Sequence, residues 1–146
     1  MTLDHETFMR AALDEAEKAK VEGNSAVGSV IVRDGEIIGR GRNLVYTGND
    51  ITAHAETVAL RLTGEELKLI DFHGCALYTT FEPCPMCCGA ILLSGVSTLV
   101  IGGRNDPATS SWPSYRVEDM IVQLGRSGEI EIVNGILVEE CLAVRE

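Results

Sequence analysis

Phe8, Ala11, Ala12, Ala16 and Ala19 recur near the helical period through LDHETFMRAALDEAEKAKVEG, with charged residues between them and Gly23 at the end. The spacing predicts an amphipathic helix over residues 3–23. Two apolar runs follow in SAVGSVIVRDGEIIGRGRNLV, on either side of Arg33-Asp34-Gly35-Glu36. Asp-Gly favours a two-residue hairpin turn because both central positions need positive φ, so two antiparallel strands are expected. HAETVALRLTGEEL (54–67) fits a helix and CALYTT (75–80) a short buried strand. CPMCCGAILLSG (84–95) fits a second helix, with Pro85 tolerated in its first turn and Gly95 near its end. STLVIGG (97–103) is apolar enough for a strand buried on both faces, and RNDPATSSWP (104–113) is a loop. A helix over 115–125, a strand over 129–135 and a closing helix over 137–144 complete the pattern. Strands alternating with helices after an opening hairpin imply an α/β fold. It is expected to be a three-layer α/β/α sandwich on a five-stranded mixed sheet, with the later strands parallel.

Length and composition narrow this further. A chain of 146 residues without repeats or linkers suits one domain, residues 1–146. No apolar run approaches the roughly 18 residues needed to span a bilayer. MTLDHETFMR has no basic segment leading into an apolar one. A cytoplasmic location without membrane contact is therefore expected. Disulfides are disfavoured there, so the five cysteines read as metal ligands, core residues or reactive thiols. The formal net charge is −10, and the last 29 residues carry seven acids against Arg126 and Arg145. That balance weighs against polyanionic partners and anionic membranes.

The candidate chemistry lies in TAHAETVAL and EPCPMCCGA. Cys84 and Cys87, three apart in the first turn of a helix, share a face. Free amides there favour thiolates. Zinc takes cysteine sulfur and histidine nitrogen in a tetrahedron, and a catalytic zinc keeps one position open. His54, opening another helix, is the best third ligand. Glu56 lies two residues on and points elsewhere on the helix, toward the open position, where a general acid/base belongs. A structural zinc closed by Cys88 is the plainer reading, but neighbouring Cys87 and Cys88 do not readily face one ion. A redox CxxC leaves His54 and Glu56 unexplained. Cys75 and Cys141 read as core residues, and His5 and His73 as surface or loop residues.

H-x-E followed by P-C-x-x-C is the signature of zinc deaminases. Through it, and through DHETFMRAAL, VGSVIV, GRGRN, TTFEPCPMC and GILVEEC, the chain resembles the cytidine deaminase-like superfamily. It looks most like the branch holding bacterial tRNA adenosine deaminases, guanine deaminases and fungal-type cytosine deaminases. The resemblance implies one Zn²⁺ per chain on His54, Cys84 and Cys87, with Glu56 shuttling protons while water displaces ammonia. It also implies that Asn43 hydrogen-bonds the substrate ring or sugar; a strand-end cap is the blander role. The Ala55 amide would meet a ring atom. The backbone carbonyl of Glu82 would face the leaving ammonia, with no role for its carboxylate. Trp112, the only tryptophan, either plugs the core or an interface or stacks over a heterocycle. Asn105 and Asp106 line that pocket or form a turn before Pro107.

The expected substrate is a small heterocycle: a free nucleobase or nucleoside of cytosine, guanine or amino-triazine type. Two departures favour it over tRNA adenosine, which stays as the alternative. GGRNDPATSSWPS lacks the Ala-Arg-Asp-x-Lys-Thr-Gly loop of the tRNA enzymes, and ECLAVRE stands where they continue into a basic, aromatic-bearing helix. A catalytically idle partner subunit is opposed by the intact His54, Glu56, Cys84 and Cys87. The resemblance also implies a homodimer, for which GAILLSG offers an apolar helix, although core packing accounts for that helix equally well.

Overall fold

The computed structural model describes residues 4–146; Leu3, at the start of the expected first helix, lies outside the described residues. Helix α1 spans His5–Glu22, capped by the Asp4 carboxylate on the Thr7 amide and ended by Gly23 in the left-handed conformation. Strands β1 (Gly28–Arg33) and β2 (Glu36–Arg42) form the hairpin. Its turn has Asp34 at φ 52° and Gly35 at φ 76°, as the Asp-Gly pair requires. Helices α2 (Val45–Gly48) and α3 (Ala55–Leu67) lead to β3 (Ala76–Phe81). Then come α4 (Pro85–Ser94), β4 (Thr98–Gly103), α5 (Val117–Gln123), β5 (Glu131–Val133) and α6 (Val138–Ala143).

The sheet order is β2-β1-β3-β4-β5. β1 pairs antiparallel with β2 and β3, whereas β3–β4 and β4–β5 are parallel. The alternation of strand side chains sorts the core into two layers. Val30, Val32, Tyr78 and Val100 pack with Met9 and Ala12 of α1 and Cys141 of α6. Ile31, Leu77, Leu99 and Ile101 pack with α3, α4 and α5 through Ala59, Ile91 and Ile121. Helices therefore cover both faces, and the mixed three-layer sandwich is the observed architecture. No described helix is long and apolar enough to cross a membrane.

Four local expectations change. The segment after Asn43, where no helix is expected from the sequence, contains the single turn α2. Its four residues are too few to show a period. β5 keeps only three of the seven residues expected. α5 starts at Val117, because Arg116 and the Val117 amide both bind the Glu82 carboxylate. His5, expected at the surface, instead hydrogen-bonds the buried Tyr78 hydroxyl at 2.8 Å.

β2 runs parallel to β3, so the C-terminal ends of β2, β3 and β4 open on one edge, where α/β sheets place ligands. Gly41 draws α3 onto this edge. A Cβ there would run into the backbone of Ala55 and Ala59. Only glycine lets the first turn of α3 lie directly on β2, two residues before Asn43.

Candidate active site

Each metal-ligand candidate sits at a helix N-terminus. His54 is the N-cap of α3 in extended conformation; Cys84 is the N-cap of α4, and Cys87 lies in its first turn. Pro85 at the start of α4 presets the helical φ and lacks an N–H that would have no partner anyway. β3 delivers Cys84 through Glu82-Pro83. The turn after α2 delivers His54, held by Thr57 Oγ1 on the His54 carbonyl at 3.0 Å.

The His54 Nδ1 atom lies 3.5 Å from Cys84 Sγ and 3.6 Å from Cys87 Sγ. All three donor atoms fall within 4.8 Å of one another. Zinc bond lengths of about 2.0–2.1 Å to nitrogen and 2.3 Å to sulfur give a tetrahedral N–S edge of roughly 3.6 Å. The donor set and its spacing therefore fit zinc. Cys88 is buried in the core around Ile91 and Leu99 and is not part of the cluster.

The charges suit a cation. Cys84 is held down to about 4, first by its hydrogen bond with Cys87 and then by that with His54. Cys87 is pushed up by the same sulfur pairing and by burial. The hydrogen bond with Cys84 raises His54. Two sulfurs thus share a proton where a metal would sit. Glu56 is 3% exposed, and burial pushes its carboxyl up to about 7, with Cys84 adding to the effect.

The cluster opens onto a cavity of about 650 Å³. Asn43, His54, Ala55, Glu56, Glu82, Cys84, Asp106 and Trp112 all line it, while Cys87 is fully buried behind. Asn43 Oδ1 accepts from the Val45 amide at 3.0 Å, so the residue is a strand-end cap. Its amide nitrogen has no protein partner among the described residues. Asp106 makes the turn before Thr109, its Oδ1 accepting from the Ala108 amide at 2.9 Å. Trp112 is 49% exposed on the cavity wall, which rules out a core plug.

Sequence reasoning missed the anchoring of that wall. The Glu82 carboxylate receives Arg104, Arg116 and two backbone amides, and the Tyr115 hydroxyl donates to the Pro83 carbonyl at 2.6 Å. It also missed Arg145, whose guanidinium lies 3.6 Å above the Phe81 ring on the same cavity. No spacing marks either group.

Comparison with known proteins bears on the substrate. The chain is similar to the tRNA-specific adenosine deaminase of Bacillus subtilis, at 38% identity over 141 residues, which is 97% of this chain and 85% of that protein. A chloroplastic tRNA(adenine(34)) deaminase of Arabidopsis thaliana is 49% identical over 109 residues; the match takes 73% of this chain and only 8% of the plant protein's length. The guanine deaminase of Bacillus subtilis is 47% identical, over 61% of this chain and 58% of its own. A structure from studies of A-to-I editing by tRNA:A34 deaminases has a TM-score of 0.84 at 32% identity, covering 94% of this chain and 98% of that one.

These relationships overturn the expected free-nucleobase substrate. Similarity to tRNA-specific deaminases runs through nearly the whole chain, while the guanine deaminase match is shorter. The departures that favoured a small base lie in one loop and one terminus. The net charge of −10 sums over every surface and does not report the local field at one cavity. The model for the cytidine and deoxycytidylate deaminase zinc-binding region matches residues 2–103, the span that contains both ligand motifs. Taken with a donor cluster spaced for zinc, that match establishes that the chain belongs to this zinc-dependent deaminase family.

Proposed function

We propose that the protein deaminates adenosine to inosine in tRNA, at position 34 of the anticodon. The observation that carries this reading is the 38% identity to a tRNA-specific adenosine deaminase across 97% of this chain and 85% of that one. The reaction forms a C–O bond at carbon 6 of the adenine, breaks the C–N bond there and releases ammonia.

His54, Cys84 and Cys87 would hold the zinc, which would supply Lewis acidity that lowers the pKa of a bound water to roughly 7. Glu56 takes a proton from the attacking water and passes it to the ring nitrogen and the departing amine. A carboxyl raised to about 7 both gains and loses a proton near neutrality, which is what a shuttle requires. Asn43 offers its amide N–H to the ring or ribose while its oxygen stays on Val45. Ala55 opens α3, so its amide has no partner within the helix and is free for a ring atom.

Arg145 supports a substrate longer than a base. Its guanidinium stacks on Phe81 and forms no ion pair with a carboxylate among the described residues. A phosphate beside the target nucleoside would supply the missing anion, and exposed Tyr46 and Trp112 at the same cavity offer faces to flanking bases. Arg145→Gln is expected to raise KM for an anticodon stem-loop several-fold and to reduce the salt slope of binding by about 1. Kinetics and binding across a salt series check both; an unchanged slope removes Arg145 from the interface.

The test of function is incubation of the zinc-loaded protein with tRNA and sequencing for inosine. Ammonia release from cytosine, guanine and adenine is followed in parallel. Inosine at position 34 with no turnover of free bases is expected. Base turnover without tRNA editing would overturn the reading.

A homodimer is also proposed. Ile70 and Leu93 are 91% and 83% exposed at a shallow apolar groove between α3 and α4. Large apolar side chains left this open mark association surfaces. Leu93→Asp is expected to shift sedimentation to the monomer, and an unchanged profile would exclude this face.

A further inference from the structure

We infer that Glu82 is a positioning residue whose buried carboxylate fixes segment 104–117 as the outer wall of the cavity and thereby sets substrate affinity. The inference takes the cavity as the substrate site, as proposed above.

The Glu82 side chain is wholly shielded from solvent, one proline away from the ligand candidate Cys84. Oε1 accepts from Arg104 Nε at 3.0 Å, the Asn105 amide at 2.9 Å and Arg116 Nη1 at 3.1 Å. Oε2 accepts from Arg104 Nη2 at 3.1 Å and the Val117 amide at 2.9 Å. The donors fall at the two ends of one segment: residues 104 and 105 leave β4, and residues 116 and 117 enter α5. One carboxylate therefore closes the segment into a loop. Tyr115 adds a second tie to the Pro83 carbonyl, and Glu118 shares the Arg104 guanidinium.

Between these ends the segment supplies Asp106, Thr109, Ser110, Ser111 and Trp112 to the cavity. Its internal hydrogen bonds are short-range turns, such as the Thr109 and Ser110 amides on the Asp106 carbonyl, except for Asn105 Nδ2 on the Trp112 carbonyl at 3.3 Å, and Asn105 is itself held by Glu82. The placement of the wall against the site thus depends on the anchor at its base. All five groups that converge on the carboxylate are N–H donors. Glutamine would keep one oxygen and turn an NH₂ toward N–H donors. The wall should loosen while His54, Cys84 and Cys87 stay at their helix ends.

The experiment uses the zinc-loaded full chain carrying Glu82→Gln, with Arg116→Ala as the milder variant that removes a single bond from the loop side. Trp112 is the only tryptophan, so its fluorescence reports this wall alone and needs no substrate. For Glu82→Gln we expect unchanged zinc content and kcat within about threefold. KM for tRNA should rise about tenfold, the pattern of lost ground-state placement, and acrylamide should quench Trp112 more strongly. Arg116→Ala should move KM and quenching in the same direction by less, and Glu82→Asp should recover part of both. Wild-type quenching and KM in Glu82→Gln overturn the inference. So does loss of zinc and kcat with Trp112 unmoved, which would make Glu82 a support for the ligand loop only. If Glu82→Gln does not fold, wild-type quenching in Arg116→Ala overturns it. If the wild-type chain does not edit tRNA, the proposed function fails while the Trp112 measurement still decides the role of Glu82.

Discussion

Glu56→Gln is expected to retain zinc and to lose turnover by about 10²–10⁴-fold, the range that positioned proton transfer supplies. Glutamine matches the carboxyl in shape, so the 3%-exposed site in α3 need not repack, and it is nearly isosteric within the cavity wall. It cannot accept the water's proton or deliver one to the leaving nitrogen. The loss should fall on kcat, with KM for tRNA changed little, because the missing interaction belongs to the transition state. Metal analysis and single-turnover kinetics with an anticodon stem-loop check the two halves separately. Retained turnover would remove Glu56 from the mechanism; lost zinc would make it part of the metal's support.

Cys87→Ser is expected to abolish both zinc retention and activity and to lower the melting temperature. Cys87 is fully buried in the first turn of α4, with its sulfur 3.6 Å from His54 Nδ1. A hydroxyl is a much weaker zinc donor than a thiolate, and the shorter C–O bond leaves it out of reach of the cluster. Removing zinc from the wild-type chain with a chelator should reproduce the loss, because metal affinity for the folded state alone is folding free energy. Uptake should also depend on pH. Cys84 is held down to about 4, so it is a thiolate at neutrality, whereas Cys87 is pushed up and keeps its proton until the metal displaces it. Zinc binding therefore releases protons, and acid competes with it. Affinity should fall by about tenfold per pH unit for each proton displaced. A competition titration between pH 8 and 6, followed by proton release, measures this. A flat profile would show that zinc binds elsewhere.

Much of this was legible in the sequence because the signals were local. The Asp34-Gly35 turn, the spacing of Ala12, Ala16 and Ala19, and Pro85 with Gly95 each fix conformation within a few residues. The metal cluster was legible for a different reason: two short motifs carry donors of one chemistry, and the helix starts that follow β2 and β3, on either side of β1, bring them together. The Glu82 anchor was not legible. Its partners lie 22 to 35 residues away, and nothing in ordinary Arg104 or Arg116 marks them for burial against one carboxylate. Arg145 likewise meets Phe81 only through the packing of α6 beside β3. The substrate was misread because net charge and loop composition describe surfaces in bulk. Recognition depends on which few groups face one opening.

A segment whose two ends return to a single carboxylate behaves as a detachable part. Its length and residues can drift between Asn105 and Tyr115 without disturbing the helix ends that carry the metal donors. Grafting a foreign stretch between those two points should retune what the enzyme accepts and leave its hydrolytic step intact. Lineages sharing this framework could then diversify their targets through that one exchangeable piece.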